Sequence, residues 1–419
     1  MKIKIDYGKK GIYVNLPSNS TVLRPLVTNS LKNPSNIIMS STSNPINCQP
    51  LESLYKQGMV VGVSVCDHTR AQPRNEVLRT IIKKCDGIQK DNLFVFIATG
   101  SHRQSSKLEI NDMFDKDVLS MITIVNHNSE QSQDLKYIGK TSKKTSLMLN
   151  KLWLECDLKI TTGFVEPHFF AGFSGGPKMI APGLAGIDTI TTLHNYERII
   201  NKNSTWGITK GNPIHEEIVE ISTLARPDFS IDLTLNRNNE ITNVFSGNLD
   251  DEHELACKFV KKNAMQKTDK LFDIVISSNS GYPLDQNIYQ AIKGVSAAAQ
   301  ITKPGGSIIS VSECIDGFPY KSNYEKLLKT YNNPKTFLEY IKQNDTKIPD
   351  QWQFQIQSQI QMQSKIYLYS KLNEKDVSDA HLLRTENIED LIEDLSSKIK
   401  NPSICVLPEG PQTIPILAM

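Results

Sequence analysis

The segment from His168 to Lys178 combines three kinds of group that can take part in catalysis. His168 can carry a proton near neutral pH or bind a metal ion. The adjacent glycines Gly175 and Gly176 let backbone N–H groups approach an anionic ligand closely. A lysine in a dry environment loses its proton and becomes nucleophilic, so Lys178 is a candidate phosphate contact or covalent attachment point. The alternative is a plain turn with a surface lysine, because the P-loop pattern G-x-x-x-x-G-K-[ST] is not matched.

Further histidines lie where predicted strands end. His68 and His102 follow the apolar runs Met59–Cys66 and Leu93–Ala98, and His194 lies in a later segment. Their spacing matches neither H-E-x-x-H nor a C₂H₂ pattern, so a zinc site built from protein ligands alone is not predicted. For each histidine taken singly, a structural role is the alternative.

Two smaller motifs suit the recognition of a carboxylate. Asp67 and Arg70 lie three residues apart, and an arginine can bind a carboxylate through two parallel hydrogen bonds. A local Asp–Arg ion pair that stabilises the turn is the alternative. In a predicted helix, the spacing puts Lys293 on the same face as Tyr289 and Gln290. The alternative for these three is an ordinary exposed helix face.

The elements that position these residues are short apolar runs that alternate with helix-like segments. Such runs are typical of buried parallel strands, and ligands of parallel α/β sheets bind beyond the carboxyl ends of the strands. The predicted helices are Arg74–Cys85 and Asn287–Gln300, the second ended by residues 302–306. The predicted strands are Met59–Cys66, Leu93–Ala98, Asp157–Ile160 (followed by Thr161-Thr162-Gly163), Phe272–Ile276 and Ser307–Val311.

A length of 419 residues predicts two domains. The polar stretch Asn263–Lys270, after the helix-like Glu252–Lys262, places the boundary between an N-terminal α/β domain (1–265) and a C-terminal α/β domain (266–419). Residues 316–363 are expected to form helices and a lid-like insertion, and Asn387–Lys400 is expected to form an amphipathic helix.

Composition excludes several classes of partner. The net charge is +2, from 47 basic and 45 acidic residues. This balance lacks the excess of positive charge that is typical of proteins that bind nucleic acid or an anionic membrane. The 7 cysteines form no C-x-x-C pair, which fits a reducing compartment. The N-terminus lacks the apolar core of a signal peptide, and no apolar run is long enough to span a bilayer. We therefore expect a cytoplasmic protein with a small-molecule ligand.

Taken together, five ordered motifs closely resemble the nickel-dependent lactate racemase family. The central block is highly specific, and the motifs span most of the chain in family order. The resemblance implies two α/β domains with mainly parallel sheets and an active site in the interdomain cleft. The motifs are DHTR at 67–70, ATGSHR at 98–103, PHFFAGFSGGPKMIAPGLAG at 167–186, LHN at 193–195 and YQAIKG at 289–294.

The resemblance also implies a cofactor, a nickel ion in the sulfur–carbon–sulfur pincer of a pyridinium-3,5-bisthiocarboxylic acid mononucleotide. Lys178 resembles the lysine to which this cofactor is covalently attached, and His194 resembles the protein ligand of nickel. Asp67 resembles a residue near the cofactor, together with the glycines Gly175 and Gly176. Cofactor-synthesis proteins are implied as partners.

The implied reaction is racemisation or epimerisation of a 2-hydroxy acid by reversible hydride transfer to the nucleotide. His102 and His168 resemble two acid–base histidines on opposite sides of the substrate. Two are needed because the two enantiomers present their hydroxyl groups in different directions. The implied substrate-binding residues are Arg70, Tyr289, Gln290, Lys293 and Trp352.

Departures from the family pattern leave the substrate open, with lactate as the first candidate. Pro177 stands where the lactate enzyme that defines the family carries a basic residue, and Phe169 and Phe170 form a bulky apolar wall after the histidine. Two other functions remain as alternatives: a Schiff-base enzyme that uses Lys178, and a non-catalytic protein that binds a nucleotide or cofactor. The oligomeric state is also open, with a homo-oligomer among the options.

Overall fold

A computed structural model describes residues 1–331 and 333–418. In chain order the strands are β1 (Lys2–Ile5), β2 (Ile12–Asn15), β3 (Thr21–Val22), β4 (Val61–Cys66), β5 (Leu93–Ala98), β6 (Thr123–Asn126), β7 (Leu135–Lys140), β8 (Ser146–Asn150), β9 (Leu158–Phe164), β10 (Pro167–His168), β11 (Gly172–Phe173), β12 (Phe229–Leu235), β13 (Ile241–Gly247), β14 (Met265–Thr268), β15 (Phe272–Ser278), β16 (Thr302–Val311), β17 (Lys365–Tyr369), β18 (Leu383–Thr385), β19 (Ile404–Leu407) and β20 (Ile414–Leu417). The helices are α1 (Pro34–Ser43), α2 (Leu51–Leu54), α3 (Arg74–Lys84), α4 (Lys107–Met113), α5 (Lys116–Met121), α6 (Lys151–Glu155), α7 (Ile187–Leu193), α8 (Tyr196–Ile199), α9 (Pro213–Ala225), α10 (Leu249–Ala264), α11 (Ile288–Ala299), α12 (Asn323–Thr330), α13 (Pro334–Asn344), α14 (Gln351–Gln361), α15 (Glu374–Asp379) and α16 (Ile388–Ser397).

The chain forms two compact units. The N-terminal unit comprises Val27–His194 and Asn201–Lys261, and the C-terminal unit comprises Met1–Leu26, Asn195–Ile200 and Lys262–Met419. Each unit contains a mainly parallel sheet flanked by helices, so the predicted two-domain α/β fold class is confirmed. The domain limits 1–265 and 266–419 stay a prediction. Within residues 1–331 and 333–418, no helix is both long and apolar enough to cross a membrane.

The N-terminal unit is built on a six-stranded sheet of order β13-β12-β9-β4-β5-β6. Its neighbouring strands run parallel except for the antiparallel pair β12 and β13. Strand β4 is buried along its whole length, which explains why Ser64 is its only polar residue. From β4 the chain goes to β5 and β6 on one side and later to β9 and β12 on the other. The strand order therefore reverses between β4 and β9, where ligands of doubly wound sheets bind.

The C-terminal unit has a parallel six-stranded sheet of order β18-β17-β16-β15-β19-β3. Here the order reverses between β15 and β19. Helix α11 follows β15 along the chain and packs against β15 and β16, so its N-terminal turn begins near the carboxyl end of the central strand. Residues of α11 are therefore suited to contact a ligand of this unit.

Most predicted elements are confirmed, with shifted ends. The strands at 59–66 and 93–98, the helices at 74–85, 287–300 and 387–400, and helices within 316–363 are all present. Three segments expected to be loops contain strand residues instead. Thr161-Thr162-Gly163 continues β9, because the buried Thr162 hydroxyl donates to the Ser64 carbonyl at 2.7 Å and strand pairing with β12 extends through Gly163. Residues 302–306 begin β16, and the predicted linker 263–270 contains β14, which pairs with β20.

Candidate active site

A buried carboxylate and a histidine meet at the carboxyl ends of β4 and β5. Asp67 directly follows β4, and His102 lies four residues after β5. The Asp67 Oδ2 and His102 Nδ1 atoms are 2.6 Å apart, and Asp67 is 3% exposed whereas the His102 side chain is 43% exposed. In this pair Nδ1–H donates to the carboxylate, so in the neutral ring Nε2 carries the lone pair. His102 is thus arranged as a proton acceptor at Nε2.

Asp67 stays anionic in this arrangement. Burial raises the pKa of Asp67, but the hydrogen bond and charge of His102 and the charge of Arg70 outweigh it and hold that pKa well below its usual range. Asp67 also accepts from the backbone N and the Oγ1 of Thr69, at 3.1 and 2.7 Å. A fixed anion at Nδ1 stabilises the imidazolium that forms when His102 accepts a proton.

The DHTR loop is held from inside by Arg74, which the sequence analysis did not single out. The buried Arg74 Nη2 donates to the carbonyls of Asp67 and Arg70, at 3.0 and 2.9 Å. Arg70 itself donates through Nη1 to the hydroxyl of Thr69 at 2.9 Å. In place of the local Asp67–Arg70 ion pair weighed as an alternative, Asp67 is hydrogen-bonded to His102.

The hydrogen bond at Nδ1 of His168 runs in the opposite direction to that at Nδ1 of His102. It lies in β10, which forms a tight antiparallel pair with β11, and its Nδ1 accepts from the backbone N–H of Ala171 at 3.3 Å. An accepting Nδ1 places the hydrogen of the neutral ring on Nε2. The hydrogen bonds therefore assign opposite tautomers to His102 and His168. One presents an accepting Nε2, and the other presents a donating Nε2.

The side chain of Phe170 lies among three predicted site residues. Its ring centroid is 4.5 Å from that of His168 and 5.0 Å from that of His194, both in edge-on geometry. The Nζ atom of Lys178 lies 5.5 Å from the same centroid, within the range of a cation–π contact. Because Phe170 is 4% exposed, it is a fixed wall against which the three groups are packed.

His194 has the hydrogen bonding of a metal-binding imidazole. It follows the last residue of α7, and its Nδ1 donates to the carbonyl of Ile190 at 2.7 Å. This bond assigns the lone pair to Nε2, the nitrogen that would bind a metal. His194 is 4% exposed, so its ring orientation is fixed by the packing around it.

The turn that carries Lys178 is packed tightly against the interior of the unit. Residues Gly176–Met179 form a 3₁₀ turn, and Gly175 and Gly176 have φ angles of 71° and 50°. A Cβ atom on Gly176 would lie 2.4 Å from the ring of His253, and one on Gly175 would lie 2.8 Å from Asp232. Both positions therefore require glycine because of the interior packing and the positive φ.

Two buried histidines behind this turn were missed by the sequence analysis. The rings of His215 (α9) and His253 (α10) are nearly parallel, with centroids 5.9 Å apart, and His253 Nε2 donates to the carbonyl of Ser174 at 2.9 Å. Burial, with the charge of nearby Lys178, lowers the pKa of His215 to about 4. Burial also lowers the pKa of His253 to about 4. Both rings are therefore neutral at physiological pH and serve as packing surfaces.

This burial predicts a pH-dependent contribution of His215 to stability. An unfolded histidine binds a proton near its usual pKa of 6.5, whereas His215 does so only at about 4, so its contribution is present above pH 6.5 and is lost as the pH falls toward 4. We expect the free energy of unfolding of the wild type, relative to His215→Asn, to fall by about 3 kcal/mol over that range. Urea unfolding of both proteins at pH 7 and pH 4.5 measures this difference. A difference that is independent of pH would contradict the assignment.

In the C-terminal unit, Tyr289 and Trp352 lie together. The indole Nε1 of Trp352 donates to the Tyr289 hydroxyl at 3.2 Å, and the buried Gln353 side chain donates to the Tyr289 carbonyl. Gln290 and Lys293 belong to the same helix α11, where the Asn287 side chain caps the first turn by accepting from the Gln290 N–H at 3.0 Å. The predicted substrate-binding residues of this unit therefore lie on α11 and on α14, which packs against it.

The chain is similar to known proteins in its family domains, its sequence and its structure. The profile of the lactate racemase N-terminal domain matches residues 7–207, and that of the lactate racemase C-terminal domain matches residues 267–414. The chain belongs to the lactate racemase family. As a member of this family, it is an isomerase of the racemase class, which confirms both the predicted family and the predicted enzyme class.

Individual relatives agree with the family assignment. The chain is 33% identical to a lactate racemase of Thermoanaerobacterium thermosaccharolyticum over 98% of both chains. It is 32% identical to a lactate racemase of Lactiplantibacillus plantarum over 89% of both chains. The solved apoprotein structure of the Thermoanaerobacterium lactate racemase superposes with a TM-score of 0.93 over the full length of both chains. A Thermotoga maritima protein of 18% identity (TM-score 0.70, over 94% of this chain and 100% of that one) shares the fold.

Proposed function

We propose that this protein racemises lactate, or a closely related 2-hydroxy acid, with a nickel-pincer nucleotide attached covalently to Lys178. The observation that carries the proposal is the pair formed by Asp67 and His102, in which the 2.6 Å hydrogen bond at Nδ1 leaves Nε2 of His102 to accept a proton. A racemase must remove the hydroxyl proton of one enantiomer and return a proton to the hydroxyl of the other. A neutral imidazole can accept the first proton and an imidazolium can donate the second, so two histidines suit this exchange.

The residues around Phe170 fit the proposed cofactor. His194 directs a lone pair through Nε2, as a nickel ligand requires, and Lys178 carries a primary amine that can be acylated. Among residues 1–331 and 333–418 no group of three or more His, Cys, Asp and Glu side chains is arranged to hold a metal ion, so nickel at His194 would take its remaining ligands from the nucleotide. When bound, the nucleotide supplies the hydride acceptor that a weakly acidic C–H bond requires.

The histidines of the chain move the hydroxyl proton. His102 accepts this proton at Nε2 from one enantiomer, and Asp67 stabilises the resulting imidazolium. His168, as the imidazolium, donates its Nε2 proton to the oxygen of the planar 2-keto acid as the other enantiomer forms, and it is left as the neutral ring. In the opposite direction the two histidines exchange roles. Both then return to their starting protonation states by exchange with solvent.

Cationic residues hold the substrate in place during the reaction. We propose that Arg70 and Lys293 bind the carboxylate, which keeps the neutral keto group close to both histidines. Tyr289 and Gln290 lie beside Lys293 along α11, and Trp352 is expected to form a wall of the substrate site. Retention of the keto acid is essential, because the hydride must return to the same molecule from which it was taken.

Lactate is the first substrate to test because the relatives compared above are named lactate racemases. The bulky Phe169 and Phe170 and the replacement of a basic residue by Pro177 motivate testing other 2-hydroxy acids as well. The two phenylalanines are both buried, at 6% and 4% exposure, and their ring centroids are 4.7 Å apart.

The test is a chiral assay of purified protein from a host that makes the cofactor. We expect conversion of either lactate enantiomer to the racemate, about one nickel per chain, and a covalent adduct on Lys178. Protein from a host without cofactor synthesis is the control and should be inactive. Borohydride trapping of a lysine–substrate adduct would instead support a Schiff-base enzyme. Nucleotide binding without turnover would support a non-catalytic carrier.

A further inference from the structure

Two fully buried carboxyl groups lie behind the turn that carries Lys178, and the proposed reaction uses neither. Asp232 lies in β12 and Glu252 in α10, and both are 0% exposed. Asp232 Oδ2 accepts from the Gly176 N–H at 2.7 Å, and Glu252 Oε1 accepts from the Ser230 hydroxyl at 2.6 Å. The second oxygen of each carboxyl group has no hydrogen-bond partner in the described part of the chain.

This pair is unfavourable for stability. Burial raises the pKa of Asp232 to about 7. Burial and the neighbouring Asp232 raise the pKa of Glu252 well above its usual range. Charged groups without a buried cation partner destabilise a folded protein, and apolar replacements of similar volume are often neutral or stabilising. A local feature that opposes stability is expected mainly at functional positions.

The surrounding backbone is shaped to admit the Asp232 carboxylate. Gly163 is the residue of β9 that pairs with Asp232 in the parallel register, and a Cβ atom there would lie 2.8 Å from Asp232 Oδ1. A Cβ atom on Gly175 would lie 2.8 Å from Oδ2. Both glycines thus leave space for the carboxylate beside the N–H of Gly176, two residues before Lys178.

A second contact fixes the same loop from α10. His253, the residue after Glu252, donates to the carbonyl of Ser174 and lies against Gly176. The backbone of the loop is therefore held at Ser174 and at Gly176 by side chains from two different elements. Of these two side-chain hydrogen bonds, the one to Asp232 reaches the 3₁₀ turn itself, whose carbonyls also accept from the backbone N–H groups of Ala181 and Gly183.

We infer that Asp232 is a positioning residue for Lys178: its carboxylate fixes the Gly176 N–H, and with it the 3₁₀ turn, in the conformation that presents the lysine to its cofactor. The inference rests on the proposed function, because it assigns Lys178 the role of attachment point. It also gives the unfavourably buried Asp232 a function behind this turn.

Three variants separate positioning from packing. Asp232→Leu keeps the shape of the side chain but removes the acceptor, and its methyl group cannot approach the Gly176 nitrogen to 2.7 Å. Asp232→Asn keeps an acceptor oxygen. Glu252→Gln removes the second acid and leaves the bond from Gly176 to Asp232 in place, so it is the matched control.

The first readout is the covalent load on Lys178, measured by intact mass after expression in a host that makes the cofactor. We expect Asp232→Leu to lower the loaded fraction about tenfold or more in protein that remains folded, as circular dichroism would show. Asp232→Asn and Glu252→Gln should load within about twofold of the wild type. Wild-type loading in a folded Asp232→Leu variant would overturn the inference. Failure of the wild type itself to load would overturn the proposed function instead.

The second readout uses protein without cofactor, so it does not depend on the proposed function. Hydrogen exchange of the Gly176 amide should be about tenfold faster or more in Asp232→Leu than in the wild type, with the amides of β12 unchanged. Asp232→Asn should restore slow exchange. Equal exchange at Gly176 in the wild type and in Asp232→Leu would show that the carboxylate does not hold the turn, which would overturn the inference even if loading fell.

Discussion

Replacing either His102 or His168 by alanine is expected to lower the racemisation rate about a thousandfold or more while nickel stays bound. Neither side chain is a proposed metal ligand, so cofactor loading should not change. The rate falls in both directions because complete racemisation needs a proton acceptor on one side of the substrate and a donor on the other. Chiral chromatography of lactate, with nickel analysis of the same samples, measures both quantities.

The two variants should also differ from each other. Each variant retains one of the two histidines, so each should still convert one enantiomer to the keto acid in a single turnover. The enantiomer that is converted should be opposite in the two variants. His68→Gln is the matched control, because His68 lies next to Asp67 at the end of β4 but contacts Ser105 and Glu109. Full racemase activity in either alanine variant would remove the two-histidine scheme.

Replacing Lys178 by arginine should abolish both the covalent adduct and the activity. Arginine keeps the positive charge and can keep the contact with the Phe170 ring, but its guanidinium stays protonated and does not act as the amine nucleophile. We expect an unmodified intact mass, a nickel content lowered about tenfold or more, and no measurable racemisation.

The variant His194→Ala separates attachment of the cofactor to Lys178 from binding of nickel. This variant keeps the lysine, so the adduct on Lys178 should form, but nickel affinity should fall about a hundredfold because a protein ligand is lost. An adduct in Lys178→Arg, or full nickel retention in His194→Ala, would show that these two roles are assigned to the wrong residues.

The location of site residues at the ends of strands could be predicted from the sequence, because it follows from the local pattern of apolar and polar residues. The strands before Asp67 and His102 are largely apolar, and parallel strands of that kind bring their carboxyl ends to one edge of a sheet. Composition and periodicity thus predict that these residues lie near one another. The role of each residue came from the family resemblance, and those roles stay proposals.

The pairing of side chains could not be predicted, because it depends on contacts between distant segments. A local ion pair of Asp67 with Arg70 was one alternative from the sequence, yet Asp67 is hydrogen-bonded to His102, 35 residues away. The tautomer of the neutral His102 ring follows from this bond. Asp232 is an aspartate within the otherwise largely apolar strand β12, a local inconsistency that the sequence displays. Its partner Gly176 becomes apparent only when β12 is placed behind the turn.

The most direct test of the central claim follows the hydrogen at C2 of the substrate. Loaded enzyme is incubated with one protiated lactate enantiomer in D₂O, and the opposite enantiomer is isolated and analysed by mass spectrometry and NMR. The account predicts product that retains hydrogen at C2, because the hydrogen is returned as hydride while only the hydroxyl proton passes through His102 and His168 to solvent. Product that carries solvent deuterium at C2 would mean deprotonation of carbon and would contradict the account.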